Sequence, residues 1–186
     1  MHGKEEKMAE RSRKLNTNAG FSLIELIVVV IIMSVLAGAA VIGISQVMRT
    51  NVTTAVDKLA TLYDRAQYEN FYLDGEVILR LEYVNERYEA VILHIAEVNG
   101  EQRERELSRE TIADRKVTVT AVTSTGSEVD VSLVPMITIA FYKSSGAMKP
   151  AEALYSGIRL QNAARKAELV LVEHTGRCFV DTAPDW

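Results

Sequence analysis

The most constraining feature of the sequence is an apolar run at residues 21–44, which contains a single formal charge, Glu25. As a helix this run would extend roughly 36 Å, enough to cross a bilayer core that is about 30 Å thick. A buried core helix is the alternative, but a domain of this size seldom encloses one that long. The run therefore predicts a transmembrane helix, and the acid inside it needs an explanation, because an unpaired charge in hydrocarbon is costly.

The basic residues that flank this run predict its orientation. Two basic residues, Arg49 and Lys58, lie in positions 45–64, and five precede the run: Lys4, Lys7, Arg11, Arg13 and Lys14. Because the more basic flank of a membrane helix stays in the cytoplasm, we expect a single-pass protein of the cytoplasmic membrane. Its N-terminus would lie inside the cell and the remaining chain outside.

Two cleavage sites are compatible with such a segment. An ordinary secretory signal has a basic start, a shorter apolar stretch and a small-residue site after it, which VLAGAAV would supply near Ala39. The other site lies before the apolar run, between Gly20 and Phe21.

The second site is favoured by a family resemblance. The stretch GFSLIELIVVVIIMSVLAG closely resembles the N-terminal motif of type IV prepilins and of the pseudopilins of type II secretion and competence systems. The resemblance implies that residues 1–20 are a leader peptide, that prepilin peptidase cuts after Gly20, and that the new amine of Phe21 is methylated. The implied partners are this peptidase, other pilin or pseudopilin subunits, the cytoplasmic membrane and an assembly platform protein, and the implied destination is an extracytoplasmic filament.

The chemistry of that cut gives Glu25 a role in assembly. Cleavage creates an α-amino cation in or near hydrocarbon, and a carboxylate one helical turn along could neutralise it on the same chain or on a neighbour. Glu25 would then set the register of a docking subunit. The alternative is an acid tolerated near the membrane edge by snorkelling. The long leader with its three glutamates, and Ile42 where many major pilins have a proline, favour a minor pilin or pseudopilin.

After residue 44 the helix pattern changes and then ends. Apolar residues recur at three- and four-residue steps through positions 45–74, which predicts an amphipathic helix that packs on a domain. Asp74 and Gly75 supply a stop. Residues 75–186 then predict a β-rich head, and the fold class is α+β and pilin-like, with a long N-terminal helix packed on antiparallel sheet.

Eight strands are predicted in this head by alternating apolar and polar residues. A hairpin is expected at Asn85 and Glu86, a bend or bulge at Pro135, and two sheets overall. The predicted strands are 77–84, 87–98, 116–124, 128–134, 136–142, 157–161, 167–173 and 177–181. The closing pattern ITIAFYKSSGAM, GIRLQ and AELVLVEHTGRCFV is similar to the C-terminal part of GspH/FimT-type minor pseudopilins.

The remaining candidate sites favour no chemistry. Residues 99–116 form the densest charge run, which predicts a solvated loop or short helix, with a docking loop for a neighbouring subunit as the alternative. We expect structural or surface roles for His94 and His174, and a small core residue at Cys178. No nucleophile elbow, phosphate-binding loop or paired-histidine zinc motif occurs in the sequence. We therefore predict no enzyme activity, no catalytic residue, no metal and no cofactor.

Nucleic-acid binding is disfavoured by the charge balance. The formal net charge is −4, and removal of residues 1–20 would make the chain more acidic. A basic patch is conceivable if the final hairpins align Arg159, Arg165, Lys166 and Arg177, although acids are interspersed among them. The competing hypothesis for the whole chain is a secreted or singly anchored β-domain that binds an extracellular ligand, possible targets including DNA, outside any filament.

Overall fold

The computed structural model describes residues 23–151 and 153–183, and for residues 38–50 it describes the helical backbone alone. By its internal contacts the chain divides into two compact units, Met1–Gly43 and Ile44–Trp186. The fold is α+β: within the described residues one α-helix is followed by two antiparallel sheets.

The helix α1 comprises Leu23–Tyr72 and ends where the sequence predicts a stop. Gly75 follows with a φ of +90°, a left-handed conformation in which a side chain would be strained. The ammonium group of Lys143 donates hydrogen bonds to the carbonyl oxygens of Leu73 and Gly75, beside the end of the helix. These bonds give partners to two backbone carbonyl oxygens just after the last helical residue.

The second half of α1 buries one face and exposes the other. Asp57, Lys58 and Arg65 are exposed, and the buried positions recur at three- and four-residue steps, as an amphipathic helix requires. The buried positions are Val52, Ala55, Val56, Leu59, Leu62, Tyr63 and Ala66.

The ten strands of the described chain form two five-stranded sheets, in which every pairing is antiparallel. The first sheet has the order β3-β2-β1-β6-β7 and the second β10-β9-β8-β4-β5. Their bounds are β1 Glu76–Val84, β2 Arg87–Val98, β3 Glu101–Asp114, β4 Thr118–Thr123, β5 Glu128–Asp130, β6 Ile137–Phe141, β7 Met148–Lys149, β8 Tyr155–Gln161, β9 Lys166–Val172 and β10 Arg177–Asp181.

Most of the predicted strands and the two-sheet arrangement are confirmed. The hairpin between β1 and β2 turns at Asn85 and Glu86, whose φ values of 51° and 61° are those of a tight left-handed turn. Pro135 lies in a bend before β6. The segment 128–134 is a strand only through Asp130, whose carboxylate accepts a 2.8 Å hydrogen bond from the Ser132 amide and caps a 3₁₀ turn at Val131–Leu133.

The prediction of a solvated loop or short helix at residues 99–116 is wrong. Glu101–Asp114 is the longest strand of the fold, β3, and it pairs with β2 along its whole length across a turn at Asn99 and Gly100. Its first six residues are exposed on both faces. This first part of the edge strand buries no residue, so the apolar periodicity that predicts a strand is missing there.

The hydrophobic core joins α1 to both sheets. One cluster contains Leu59 and Tyr63 of α1 together with Leu79 and Phe141 of the first sheet and Leu169 of the second. The rings of Tyr63 and Phe141 meet edge to face with centroids 5.1 Å apart, a favoured geometry for aromatic pairs. A smaller cluster of Ile78, Val91, Leu93 and Ala140 lies apart from it.

Candidate functional site

The candidate site is the beginning of α1, of which the structure describes the part from Leu23 onward. Glu25 lies in the first turn of the helix and is exposed. The N-terminal end of a helix carries partial positive charge, so an acid in this turn is electrostatically favoured. The predicted processing residues Gly20 and Phe21 lie outside the described residues.

The helix around Glu25 presents a continuous apolar surface, which we call the α1 apolar surface and define as residues 23–36. Every large apolar side chain in it is exposed, from 47% at Ile27 to 80% at Leu23. The hydroxyl of Ser34 donates a 2.7 Å hydrogen bond to the Val30 carbonyl within the helix. A contiguous apolar surface with its polar group satisfied internally is typical of an interaction site.

A search of the described residues finds no helix with the length and hydropathy that a membrane crossing requires.

Comparison with known protein families finds a match that falls on this site. Residues 15–41 match the family model described as the prokaryotic N-terminal methylation motif. The chain carries the type IV pilin and pseudopilin signature. Pilin-motif proteins are structural subunits rather than enzymes, and the motif implies processing by prepilin peptidase and assembly with other pilin subunits.

The pilin signature covers the start of the chain and does not extend into the two sheets. No curated protein and no solved structure matches the chain. The GspH/FimT resemblance of the closing strands therefore stays a prediction.

Two amides on the second half of α1 fasten the helix to the sheets, and sequence analysis missed both. The side-chain amide of Gln67 donates hydrogen bonds of 2.7 and 2.8 Å to the carbonyl oxygens of Gly146 and Gly176. Asn70 is buried and donates to the Phe141 carbonyl at 3.1 Å. The only signal for these contacts in the sequence is that Gln67 and Asn70 are polar residues at helical positions near the predicted packed face.

Cys178 is partly buried beside α1. Its thiol donates a hydrogen bond to the Asp64 carboxylate at 3.3 Å, and its side chain packs against the core. Burial first, and then the Asp64 carboxylate, raise the pKa of the thiol to about 12. Because the thiolate is the nucleophilic form, this arrangement makes Cys178 unreactive at neutral pH.

The other predicted side chains lie apart. His94 is on β2, where its ring contacts the Asp74 carbonyl, and His174 is in the turn before β10. Arg159, the centre of the conceivable basic patch, is bound by the carboxylates of Glu168 and Glu128, which reduces the positive charge available to a phosphate. Within the described residues no group of three or more metal-ligating side chains is close enough to hold an ion.

Proposed function

We propose that the chain is the precursor of a minor pilin or pseudopilin, a structural subunit of a type IV pilus, type II secretion or competence filament. The match of residues 15–41 to the methylation motif carries this proposal. The precursor is held in the cytoplasmic membrane by residues 21–44, with its head (residues 75–186) outside the cell. Prepilin peptidase removes residues 1–20 and methylates Phe21, and the subunit then enters an extracytoplasmic filament at the assembly platform.

The exposed α1 apolar surface supplies the packing force in this proposal. When the filament forms, apolar side chains on neighbouring helices cover one another. Each added subunit therefore moves its α1 apolar surface from the membrane into contacts with other subunits. Dispersion contacts between closely packed helices then stabilise the bundle. The contacts are numerous but nearly uniform along the helix, so they fix the position of one subunit against the next only weakly.

The position of the subunit is fixed by a charge pair in this proposal. Cleavage leaves a cationic amine at Phe21, and Glu25 lies one helical turn along the chain. In an apolar bundle, either charge alone is costly, whereas the pair is tolerated. A subunit therefore docks where its carboxylate meets a terminal amine, on its own chain or on its neighbour.

The experiment that tests this pairing is substitution of Glu25 in the intact precursor, expressed in cells with its filament system. Glu25→Ala and Glu25→Gln should both leave leader removal intact, because the cut lies on the other side of Phe21. Both should lower filament incorporation by about tenfold or more, since an amine would be left unpaired. Filaments sheared from cells and quantified by immunoblot give the readout.

Asp57→Ala is the matched control, because it removes an exposed acid from the same helix. It should leave incorporation unchanged. Incorporation of the Glu25 variants at the wild-type level would refute the pairing, even if the leader is still removed.

A further inference from the structure

The free edge of β3 is far longer than any other strand edge in the described sheets. β3 has 14 residues, whereas the other three edge strands, β10, β5 and β7, have five, three and two. Exposed strand edges bind other strands through unpaired backbone groups, and proteins usually shorten or cover them. A long, uncovered edge in a fold whose other edges are short indicates a surface for strand addition.

The first half of this edge sorts its charges by face. Residues 103–106 alternate arginine and glutamate, and all four side chains are exposed. Because successive side chains of a strand point to opposite faces, Arg103 and Arg105 share one face, and Glu104 and Glu106 share the other. Residues directly opposite each other on paired strands share a face of the sheet. Because Glu106 lies opposite Leu93, the two glutamates lie on the face that carries the smaller apolar cluster.

Three of these four charged side chains make no ion pair at hydrogen-bond distance within the described residues, so they can pair with another chain. Arg103 approaches Glu101 at 3.9 Å, and Arg80 approaches Glu104 at 3.6 Å, both longer than a hydrogen bond. Glu106 is held more closely, by Arg109 at 2.9 Å. The side chain of Arg105 makes no hydrogen bond or ion pair with the part of the chain that the structure describes.

The sorted charges oppose pairing with a second copy of the same edge. Two antiparallel copies related by a twofold axis place residues of the same face opposite each other. With the axis at residue 104, glutamate faces glutamate there and Arg103 faces Arg105. With the axis at residue 105, arginine faces arginine and Glu104 faces Glu106. Like charges directly opposite are destabilising, so the edge is unfavourable for self-pairing and remains free for another strand.

We propose that residues 101–106 of β3 form a strand-addition site for an extended segment of a different protein, in which acidic and basic residues alternate. Its acids lie opposite Arg103 and Arg105, and its bases lie opposite Glu104 and Glu106. Backbone hydrogen bonds along the free edge supply affinity, and the four charge pairs supply register and selectivity. This site is independent of N-terminal processing, so either proposal can fail without the other.

Two synthetic peptides of equal composition test the site against the full chain in detergent micelles. In the first, Lys-Glu is repeated four times, so each face of the peptide strand carries one sign. In the second, Lys-Lys-Glu-Glu is repeated twice, so both faces carry mixed signs in every register. Fluorescence anisotropy of the labelled peptides at low salt should show the first binding at least about fivefold more tightly, given four cross-strand pairs.

A composition-preserving variant, Arg103→Glu with Glu104→Arg, supplies the decisive control. It places one acid and one base on each face, so it should bind the Lys-Lys-Glu-Glu peptide more tightly than the alternating one. Reversal of the preference supports the proposal. Equal binding of the two peptides to the wild-type chain, no binding of either, or an unchanged preference in the variant would overturn it. The circular dichroism spectrum of the variant checks that the sheets are intact.

Discussion

The buried side chain of Asn70 on α1 accepts a 2.9 Å hydrogen bond from the backbone amide of Val77 on β1. The same side chain donates to the carbonyl of Phe141 on β6. One residue of the helix, whose side chain is buried, therefore satisfies backbone groups of two neighbouring strands. Asn70 fixes the first sheet against the end of the helix.

Asn70→Ala should destabilise the fold by about 2–4 kcal/mol, because it leaves a buried amide and a buried carbonyl without partners. The measurement is chemical unfolding of the full chain in detergent, followed by circular dichroism of the sheets. Asn51→Ala is the matched control, since Asn51 lies exposed on the same helix, and its effect should be within about 0.5 kcal/mol. Equal effects of the two substitutions would show that the Asn70 contacts do not hold the sheet.

Gly176 should be intolerant of alanine for a different reason. Its φ is +62°, and an added Cβ would lie 1.8 Å from the Gly146 carbonyl oxygen, the atom that also accepts a hydrogen bond from Gln67. Gly126 has a φ of +84° with open space around it. Gly126→Ala should therefore cost about 1–2 kcal/mol from the backbone conformation alone. Gly176→Ala should cost about 3 kcal/mol or more, because overpacking adds to that strain.

Thermal unfolding of the two glycine variants beside the wild-type chain provides the comparison. A loss at Gly176 no greater than that at Gly126 would contradict the close approach of the Gly146 and Gly176 turns.

The Cys178 thiol predicts a specific loss of stability at high pH. Its pKa rises from an ordinary 9.0 to about 12 in the folded chain, through burial and the Asp64 carboxylate. Below pH 9 the thiol is protonated in both the folded and unfolded states, so its contribution to the free energy of unfolding is fully present. Between pH 9 and 12 only the unfolded state loses the proton, so stability falls as pH rises.

Cys178→Ser removes this titration, and the difference between its unfolding curves and those of the wild-type chain isolates the thiol. The wild-type chain should lose more stability than the variant over that interval. The folded wild-type thiol should also react slowly with iodoacetamide at pH 8, and faster after Asp64→Asn, because the neutral amide removes the repulsion. Parallel pH profiles for wild type and Cys178→Ser would refute the shifted pKa.

Sequence analysis identified strands that bury apolar residues: in β9 alternate residues enter the core, and the centres of β1 and β2 bury residues on both faces. β3 was missed because Arg103, Glu104 and their neighbours are exposed on both faces. Apolar and polar residues therefore do not alternate along this part of the strand. The dipeptide Asn99-Gly100 was the available signal, since it favours a two-residue hairpin. At the candidate site, the place of Glu25 in the helix was predictable from the motif, whereas the Gln67 and Asn70 contacts depend on tertiary packing.

The N-terminal mass of the mature polypeptide, isolated from cells that contain its own processing machinery, tests the central claim most directly. The proposal predicts a chain that begins with methylated Phe21 and lacks residues 1–20. A chain that begins near residue 40 would instead indicate ordinary signal cleavage and the secreted β-domain, and an intact leader would indicate no processing. Either of these two results would contradict the assignment of this protein to the prepilin pathway.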